Sequence, residues 1–303
     1  MAALEYYPLR ALLFFLQACP YSVCKPLCRG ILHSIMRFFP KRQHLIDRQL
    51  QACFPEHNSD ERLTIASESV DNIGNGLATF AHMAKFTSHQ FDDLVRLEGI
   101  EFLEEALRQK KGVITFTAHF GCWELMANYI THRYPQVAML VRPLDNPKLE
   151  TMVAKIRGCG GGGVLKSADA FKDGTRLLRQ NGILGVLVDQ NFHRGGVFVQ
   201  FFGQWAASNP LVPLLARRTG CQVIPMHNRW KNGKVHIICE APLALSTNST
   251  PHEAIAEDTQ NLARVVERWV REDPGQWLWL HNRWKRQPKV GDELFEKGTL
   301  RYA

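Results

Sequence analysis

A histidine and a glutamate five positions apart, His119 and Glu124, are the residues of this chain best suited to acid–base chemistry. An imidazole can take a proton from a hydroxyl when a neighbouring carboxylate orients it and stabilises the imidazolium. Five residues turn a continuous helix by about 500°, so the two side chains would not share one helix face. We therefore expect His119 in a turn after a strand and Glu124 in the first turn of the next helix, with Gly121 permitting the turn.

The same spacing also has a purely structural interpretation. A histidine after a strand often only hydrogen-bonds a turn, and a glutamate in a first helical turn often only caps the backbone. A second pattern favours a site, because His119, Arg142, Asp189 and His227 each follow an apolar run. In open α/β sheets, ligands bind beyond the carboxyl ends of the strands, so four strands would bring polar groups to one edge.

The elements that must position these residues alternate along the middle of the chain. Strands are predicted over 113–117, 137–141, 183–188 and 223–226, with helices over 124–133, 147–157, 169–180 and 210–219. This alternation predicts an α/β fold with a mostly parallel central sheet flanked by helices. Asn58 and Glu61 predict a capping box at the start of a long helix. A further strand is predicted over 234–240 and a long amphipathic helix over 253–270.

Residues 1–42 differ from the remainder, residues 43–303. Residues 9–19 are apolar almost all round and residues 26–39 are amphipathic, but neither segment has the roughly 20 apolar residues that span a bilayer. A signal peptide is disfavoured because its basic start is weak and Pro20 interrupts the apolar run. A soluble helical hairpin remains an alternative. The composition favours membrane-anchoring helices that lie in one leaflet.

Net charge and cysteine spacing indicate which classes of binding partner and cofactor to expect. The formal net charge of +8 predicts an anionic partner such as a membrane surface or an acidic carrier, and the spacing typical of DNA-binding modules is absent, so we expect no nucleic acid. The eight cysteines lack the spacing of a zinc site, and we expect no metal, no cofactor and a reducing compartment. Cys122 is a less favoured alternative nucleophile, since no second histidine adjoins it.

Several motifs beyond His119 and Glu124 resemble the bacterial lipid A biosynthesis (late) acyltransferase family, whose wider superfamily carries His-x4-Asp or His-x4-Glu. The resemblance covers roughly residues 5–287. The motifs that carry it occur in the family's order at residues 53–56, 141–147, 187–191, 196–197, 201–203 and 273–285.

The resemblance implies a glycerolipid acyltransferase-like fold and the transfer of a fatty acyl chain from acyl carrier protein or acyl-CoA to a hydroxyl of a lipid A precursor. The reaction would take place at the cytoplasmic face of the inner membrane. His119 would be the general base and Glu124 would orient it, while the backbone N–H groups of residues 120–122 would stabilise the oxyanion. The alternatives are an acyltransferase for another lyso-lipid, such as a phospholipid, ornithine lipid or glycolipid, and a non-catalytic lipid-binding relative.

Four residues are predicted to bind substrate. Arg142 and Arg157 suit phosphate because a guanidinium offers a bidentate fork. Asp189 and Gln190 close an apolar run; we favour pairing of Asp189 with an arginine over a role in orienting the site.

Two loops are also predicted near the substrate. Gly160 to Gly163 are interpreted as a mobile loop, because a phosphate-binding loop would also carry Lys and Ser or Thr. Residues 193–196 resemble a cap over the site.

Overall fold

The computed structural model describes residues 2–193, 196–247, 250–296 and 299–302. Its strands, in chain order, are β1 (Val95–Glu98), β2 (Val113–Thr117), β3 (Val137–Val141), β4 (Gly163–Lys166), β5 (Ile183–Leu187), β6 (Val197–Phe201), β7 (Gln204–Ser208), β8 (Gln222–Lys231), β9 (Lys234–Cys239), β10 (Glu293–Glu296) and β11 (Thr299–Tyr302). Its α-helices are α1 (Ala2–Ala18), α2 (Tyr21–Arg37), α3 (Pro40–Cys53), α4 (Ser59–His82), α5 (Ser88–Leu94), α6 (Ile100–Arg108), α7 (Trp123–Arg133), α8 (Pro147–Arg157), α9 (Ala170–Arg179), α10 (Leu211–Thr219) and α11 (Pro251–Glu272).

The central sheet has seven strands in the order β1-β9-β8-β2-β5-β3-β4. Every neighbouring pair is parallel except β8 and β9. The predicted α/β fold with a mostly parallel, helix-flanked sheet is therefore confirmed. The predicted strands and helices of its middle lie close to the observed ones, except that β8 continues to Lys231 instead of ending at residue 226 and β4 was not predicted. Because β2 pairs with β5 from Val113 with Ile183 to Thr117 with Leu187, the segments that follow these two strands leave the sheet side by side.

The core lies on both faces of this sheet. In β2, Ile114 and Phe116 belong to a cluster that includes residues of α9, α10 and α11, while Val113 belongs to a cluster that includes residues of α6 and α7. Alternate side chains of a strand point to opposite faces, so Thr115 and Thr117 share the α7 face with Val113. That face carries the candidate site.

A second sheet, in the order β11-β10-β6-β7, was not predicted. Strands β6 and β7 form a hairpin whose turn residues, Phe202 and Gly203, have φ of +52° and +67°. Positive φ at both turn positions is the geometry that favours tight two-residue hairpins. The end of β7 lies beside the site, as described below.

The N-terminal helices pack on the remainder of the chain. The predicted capping box is confirmed: the Asn58 side chain accepts from the backbone of Glu61, whose carboxylate accepts from the Asn58 N–H at 2.7 Å. Helix α2 buries Cys24 and Cys28 in a cluster with Ala78 and Ala81 of α4. The predicted division at residue 42 lies within α3 and stays a prediction.

The outer surface of α1 and α2 exposes large apolar side chains. These are Tyr7, Leu9, Leu12, Phe14 and Phe15 of α1, and Val23, Leu27, Ile31 and Ile35 of α2, followed by Phe38 and Phe39. Within the described ranges, the model contains no helix with the length and apolar character that crossing a membrane requires.

Candidate functional site

The turn between β2 and α7 holds His119 in the predicted strand–turn–helix arrangement. Gly121 has φ of +58°, and a Cβ at this position would lie 2.2 Å from the Asn228 carbonyl oxygen, so the turn requires glycine. The Asn228 side chain accepts from the Cys122 N–H at 2.5 Å and donates to the Phe120 carbonyl at 3.1 Å. The turn is thus fixed to β8, and α7 begins at Trp123.

The partner of His119 is Asp189, which follows β5. The Nδ1 atom of His119 lies 2.8 Å from Oδ1 of Asp189, and the His119 backbone N–H donates to Oδ2 at 2.9 Å. Trp277 donates its indole N–H to the same Oδ2 at 2.8 Å. Because a carboxylate accepts the proton on Nδ1, the Nε2 atom carries a lone pair and is the basic nitrogen.

Electrostatics keep Asp189 ionised in this buried position. Burial by itself would raise the pKa of the carboxyl group, but attraction to the His119 imidazolium and the hydrogen bonds from His119 and Trp277 lower the pKa to about 2. A carboxylate held in this way can orient the imidazole and stabilise its protonated form.

Glu124 does not hold the imidazole, and that part of the prediction was wrong. Its carboxylate accepts from Arg157, with Nε at 3.0 and 3.2 Å from the two oxygens and Nη2 at 2.5 Å from one. The cause is the start of α7 at Trp123, whose ring packs edge-on against His119 at 5.2 Å, while Glu124 meets the C-terminal end of α8. Arg157 therefore lies in the site, but with a carboxylate bound.

The expected pairing of Asp189 with an arginine was also wrong, since its hydrogen bonds come from His119 and Trp277. Gln190 lies in the site as predicted, and its side-chain nitrogen is 3.2 Å from Nε2 of His119. Arg142 lines the same cavity at the surface, with its side chain 75% exposed and 3.3 Å from Asp145. Direct contact of any of these residues with substrate stays a prediction.

His227, in contrast, is not in the site. It is buried, it stacks on Trp269 at 4.6 Å between ring centres, and burial followed by the charges of Arg229 and Arg268 lowers its pKa to about 3.

The backbone donors predicted for an oxyanion are occupied. The N–H of Phe120 donates to Ala118 at 2.8 Å, that of Gly121 donates to Gln276 at 2.9 Å, and that of Cys122 donates to the Asn228 side chain. These groups were expected to be free because helix N-termini usually leave N–H groups unsatisfied. Here the segments packed around the turn satisfy them. Cys122 is no better placed as a nucleophile, because burial raises its pKa to about 12.

A cavity of about 840 Å³ opens beside His119. This volume is within the usual range for small-molecule sites. One part of it runs between α7 and the sheet, past Trp123, Ala127 and Met139, and another part extends over the strand ends past Val188 and Phe192. Glu124, Arg157, Gln190 and Arg142 all line it, so the cavity brings together a base, cations and apolar walls.

The glycine-rich segment forms part of the cavity wall, and its predicted mobility stays a prediction. Residues 158–160 form a short 3-10 turn, and β4 begins at Gly163. A Cβ at Gly160 would lie 2.0 Å from Oγ1 of Thr131, and one at Gly162 would lie 2.2 Å from Cγ2 of the same residue. Close packing against α7 therefore explains these two glycines. In the predicted cap, Arg194 and Gly195 lie outside the described residues, and His193 lines the cavity.

The C-terminal segment 273–285 contributes residues to which no role had been assigned. The backbone N–H of Leu278 donates to the His119 carbonyl at 3.0 Å. Arg283 is 1% exposed, and its guanidinium donates to the carbonyls of Gln190 at 3.3 Å and Ala207 at 2.7 Å. Burial lowers the pKa of Arg283 to about 10. This segment contacts both sides of the His119–Asp189 pair. Its three tryptophans after a Pro-Gly break were the available signal.

No metal chemistry is indicated by side-chain placement: across the ranges that the structure describes, no three His, Cys, Asp or Glu side chains form a group able to hold a metal ion.

Comparison with known proteins assigns the chain to a family. Residues 4–286 match the family model described as bacterial lipid A biosynthesis acyltransferase. The chain is 27% identical over 274 residues to a lipid A biosynthesis lauroyltransferase of Escherichia coli K12, covering 89% of this chain and 88% of the relative. It is 24% identical over 288 residues to the palmitoleoyltransferase of the same strain, covering 91% and 89%, and 24% identical over 246 residues to its myristoyltransferase, covering 79% and 73%. The chain belongs to the bacterial lipid A biosynthesis acyltransferase family.

Proposed function

We propose that this protein transfers a fatty acyl chain from an acyl thioester to a hydroxyl of a lipid A precursor, with His119 as the general base and Asp189 as the residue that orients it. The observation that supports this most directly is the His119–Asp189 contact of 2.8 Å at the edge of a cavity with apolar walls. Relatives named for lauroyl, palmitoleoyl and myristoyl transfer support a fatty acyl substrate.

The reaction follows from the protonation state of the pair. Nε2 of His119 takes the proton of the acceptor hydroxyl while the oxygen attacks the thioester carbonyl. Asp189 stabilises the resulting imidazolium. The tetrahedral intermediate then collapses, the C–S bond breaks, and the imidazolium returns its proton to the thiolate that leaves. The products are an ester and a thiol, and the histidine regains its starting form without a covalent acyl-enzyme.

The Glu124–Arg157 pair faces the same cavity, and we assign it to substrate binding and not to the base. Its two side chains are 19% and 27% exposed, so the pair is reached from the cavity. A guanidinium that uses one side on a carboxylate still presents a positive charge to a phosphate or a carbonyl oxygen. Arg142, at the surface of the cavity, is the second candidate for the anionic part of the acceptor or the donor.

Membrane attachment at the cytoplasmic face of the inner membrane is supported by α1 and α2. Two pairs of adjacent phenylalanines are exposed there, Phe14 with Phe15 in α1 and Phe38 with Phe39 directly after α2. Lys41 and Arg42 follow the second pair and would meet anionic headgroups. Helix α1 also contacts the cavity region, because Glu5 accepts from Asn146 at 2.9 Å beside the Arg142 segment. A lipid acceptor would thus reach the cavity from the surface on which the protein lies.

An acidic carrier protein is the donor that the surface charge favours. Lys172, Arg176, Arg179 and Arg218 line one shallow surface of α9 and α10 together with the exposed Phe171. These helices pack on the sheet face opposite α7, whereas α1 reaches the α7 side through Leu13. The basic surface therefore points away from α1 and suits a soluble acidic partner, with acyl-CoA as the alternative donor.

Purified protein incubated with a radiolabelled acyl thioester and a panel of acceptor lipids tests the proposal. We expect label in a lipid A precursor and none when His119→Ala replaces the wild type. Labelling of a lysophospholipid, an ornithine lipid or a glycolipid instead would change the acceptor, and transfer that proceeds equally well without His119 would reject the mechanism. Comparison of acyl carrier protein with acyl-CoA in the same assay identifies the donor.

A further inference from the structure

We infer that the side-chain amide of Gln190 supplies the oxyanion hole of the transfer reaction. This inference rests on the proposed function. The side-chain nitrogen of Gln190 lies 3.2 Å from Nε2 of His119, which is the atom that must accept the substrate proton. The amide therefore lies where the acceptor hydroxyl must bind to reach the base.

The direction of this hydrogen bond is fixed by the other nitrogen of the ring. Asp189 accepts the proton on Nδ1, so Nε2 offers only a lone pair and the Gln190 amide must donate to it. When the acceptor hydroxyl takes that place, the amide loses its partner. The nearest new acceptor is the oxygen of the carbonyl group that the hydroxyl attacks, since the hydroxyl lies within hydrogen-bond reach of the base and about 3–3.5 Å from the carbonyl carbon.

Other donors around the turn are already in use. The backbone N–H groups of His119, Phe120, Gly121 and Cys122 all donate to protein acceptors. The N–H of Asn191 donates to His281 at 3.0 Å. The side-chain amide of Gln190, in contrast, lies within hydrogen-bond range of the basic nitrogen of His119. Asn and Gln side chains are established donors in oxyanion holes of acyl-transfer enzymes.

The backbone of Gln190 is held in place, and its side chain lies in the cavity. Its carbonyl accepts from the buried Arg283, and its two neighbours are fixed through Asp189 to His119 and through Asn191 to His281. The Gln190 side chain itself is exposed to the cavity. A fixed backbone with an exposed amide suits a donor that leaves Nε2 when substrate binds and then engages the developing negative charge.

Replacement of the amide tests this role. A hydrogen bond formed only in the transition state lowers the barrier without tightening substrate binding, so Gln190→Ala should lower kcat on the order of 10²–10³ with little change in KM. Gln136→Ala, an exposed glutamine outside the cavity, is the matched control and should keep wild-type kinetics. Because the Gln190 side chain is exposed, thermal unfolding of Gln190→Ala should match that of the wild type.

A binding measurement separates a catalytic role from a structural one. An acyl phosphonate that mimics the tetrahedral intermediate should bind Gln190→Ala at least ten-fold more weakly than wild type, while an unreactive ether analogue of the thioester binds both equally. Wild-type kcat in Gln190→Ala, or equal losses for the two analogues, would overturn the oxyanion assignment even if His119→Ala confirms the proposed function. If the wild-type protein transfers no acyl group at all, the proposed function fails and this inference fails with it.

Discussion

Two carboxylates, those of Asp189 and Glu124, lie near the same cavity but differ in burial, in hydrogen-bond partners and in sequence distance from His119. Asp189 is 3% exposed and receives three hydrogen bonds from His119 and Trp277. Glu124 is 19% exposed and receives its hydrogen bonds from Arg157. Asp189 is 70 positions away from His119 in the sequence and Glu124 is five. The pairing of neighbouring parallel strands therefore decides which carboxylate contacts His119, and closeness in sequence does not.

Burial explains why the two carboxylates should respond differently to mutation. A buried ionised group depends on its partners, and removal of one partner leaves an uncompensated charge or donor. A partly exposed ion pair contributes at most about 1 kcal/mol, because solvent screens it. We therefore expect changes at Asp189 to alter the base itself, and changes at Glu124 to alter the shape and charge of the cavity.

The largest loss of kcat is expected when His119, the residue that Asp189 contacts, is replaced. His119→Ala removes the base and should lower kcat by at least 10²–10⁴-fold. His89→Ala, at an exposed histidine of α5, is the control and should have no effect. Single-turnover transfer from a radiolabelled thioester measures both. Near-normal transfer by His119→Ala would show that His119 is not the general base, and neither Asp189 nor Glu124 could then act by orienting it.

The sharpest test sets Asp189→Asn against Glu124→Gln. An amide at position 189 can donate to Nδ1, which would move the imidazole proton to Nε2 and remove the lone pair that accepts the substrate proton. We expect Asp189→Asn to lower kcat by about 10²–10⁴.

Glu124→Gln should instead raise KM by about ten-fold, because the charge-assisted bidentate hydrogen bonds that hold Arg157 in the cavity weaken. Steady-state kinetics of the two variants distinguish these outcomes. A greater loss of kcat in Glu124→Gln than in Asp189→Asn would favour the original prediction that Glu124 orients His119.

The sequence predicted the fold and the place of His119 in the turn after β2, but it did not predict that Asp189 contacts His119. Apolar runs and their spacing were sufficient for β2, β3, β5 and the helices between them, because these periodicities are local. The pairing of β2 with β5 brings Asp189 to His119, and strand order is not a local property.

The C-terminal segment shows the same limit. Its tryptophans and Arg283 form part of a family motif, yet their contacts with residues 119, 189 and 190 appear only after the chain has folded. The hairpin β6–β7 was missed for a related reason, since its apolar residues, interrupted by Gln200 and Gln204, show no clear period that would identify a strand.

The pH dependence of stability should also distinguish the carboxylates. The pKa of Asp189 is lowered to about 2 in the folded protein, against an unfolded value near 4, so the folded state binds fewer protons there between those two values. The resulting stability, about 2 kcal/mol, is present above pH 4 and is lost as pH falls towards 2.

Urea unfolding of wild type and Asp189→Asn between pH 3 and pH 7 measures this contribution. The difference in unfolding free energy between the two should shrink as the pH is lowered. Asp145→Asn, at an exposed aspartate, is the matched comparison for general acid effects. A constant difference across this range would show that the Asp189 charge is not stabilised by its contacts.

The smallest expected effect concerns Trp277. Its indole N–H donates to Asp189, but Trp277 takes no part in the proton transfer between the hydroxyl, His119 and the thiolate. Trp277→Phe keeps an aromatic ring in a fully buried position and removes the hydrogen bond of 2.8 Å. Loss of a hydrogen bond to a charged group costs about 1.5–3 kcal/mol, and we expect part of it to appear as a loss of about ten-fold in kcat. With one donor fewer, the Asp189 carboxylate becomes a stronger acceptor for the imidazole, so the pH at which kcat rises should move upwards. The pH profiles of kcat for Trp277→Phe and wild type test this; identical midpoints would show that Trp277 supports Asp189 only by packing.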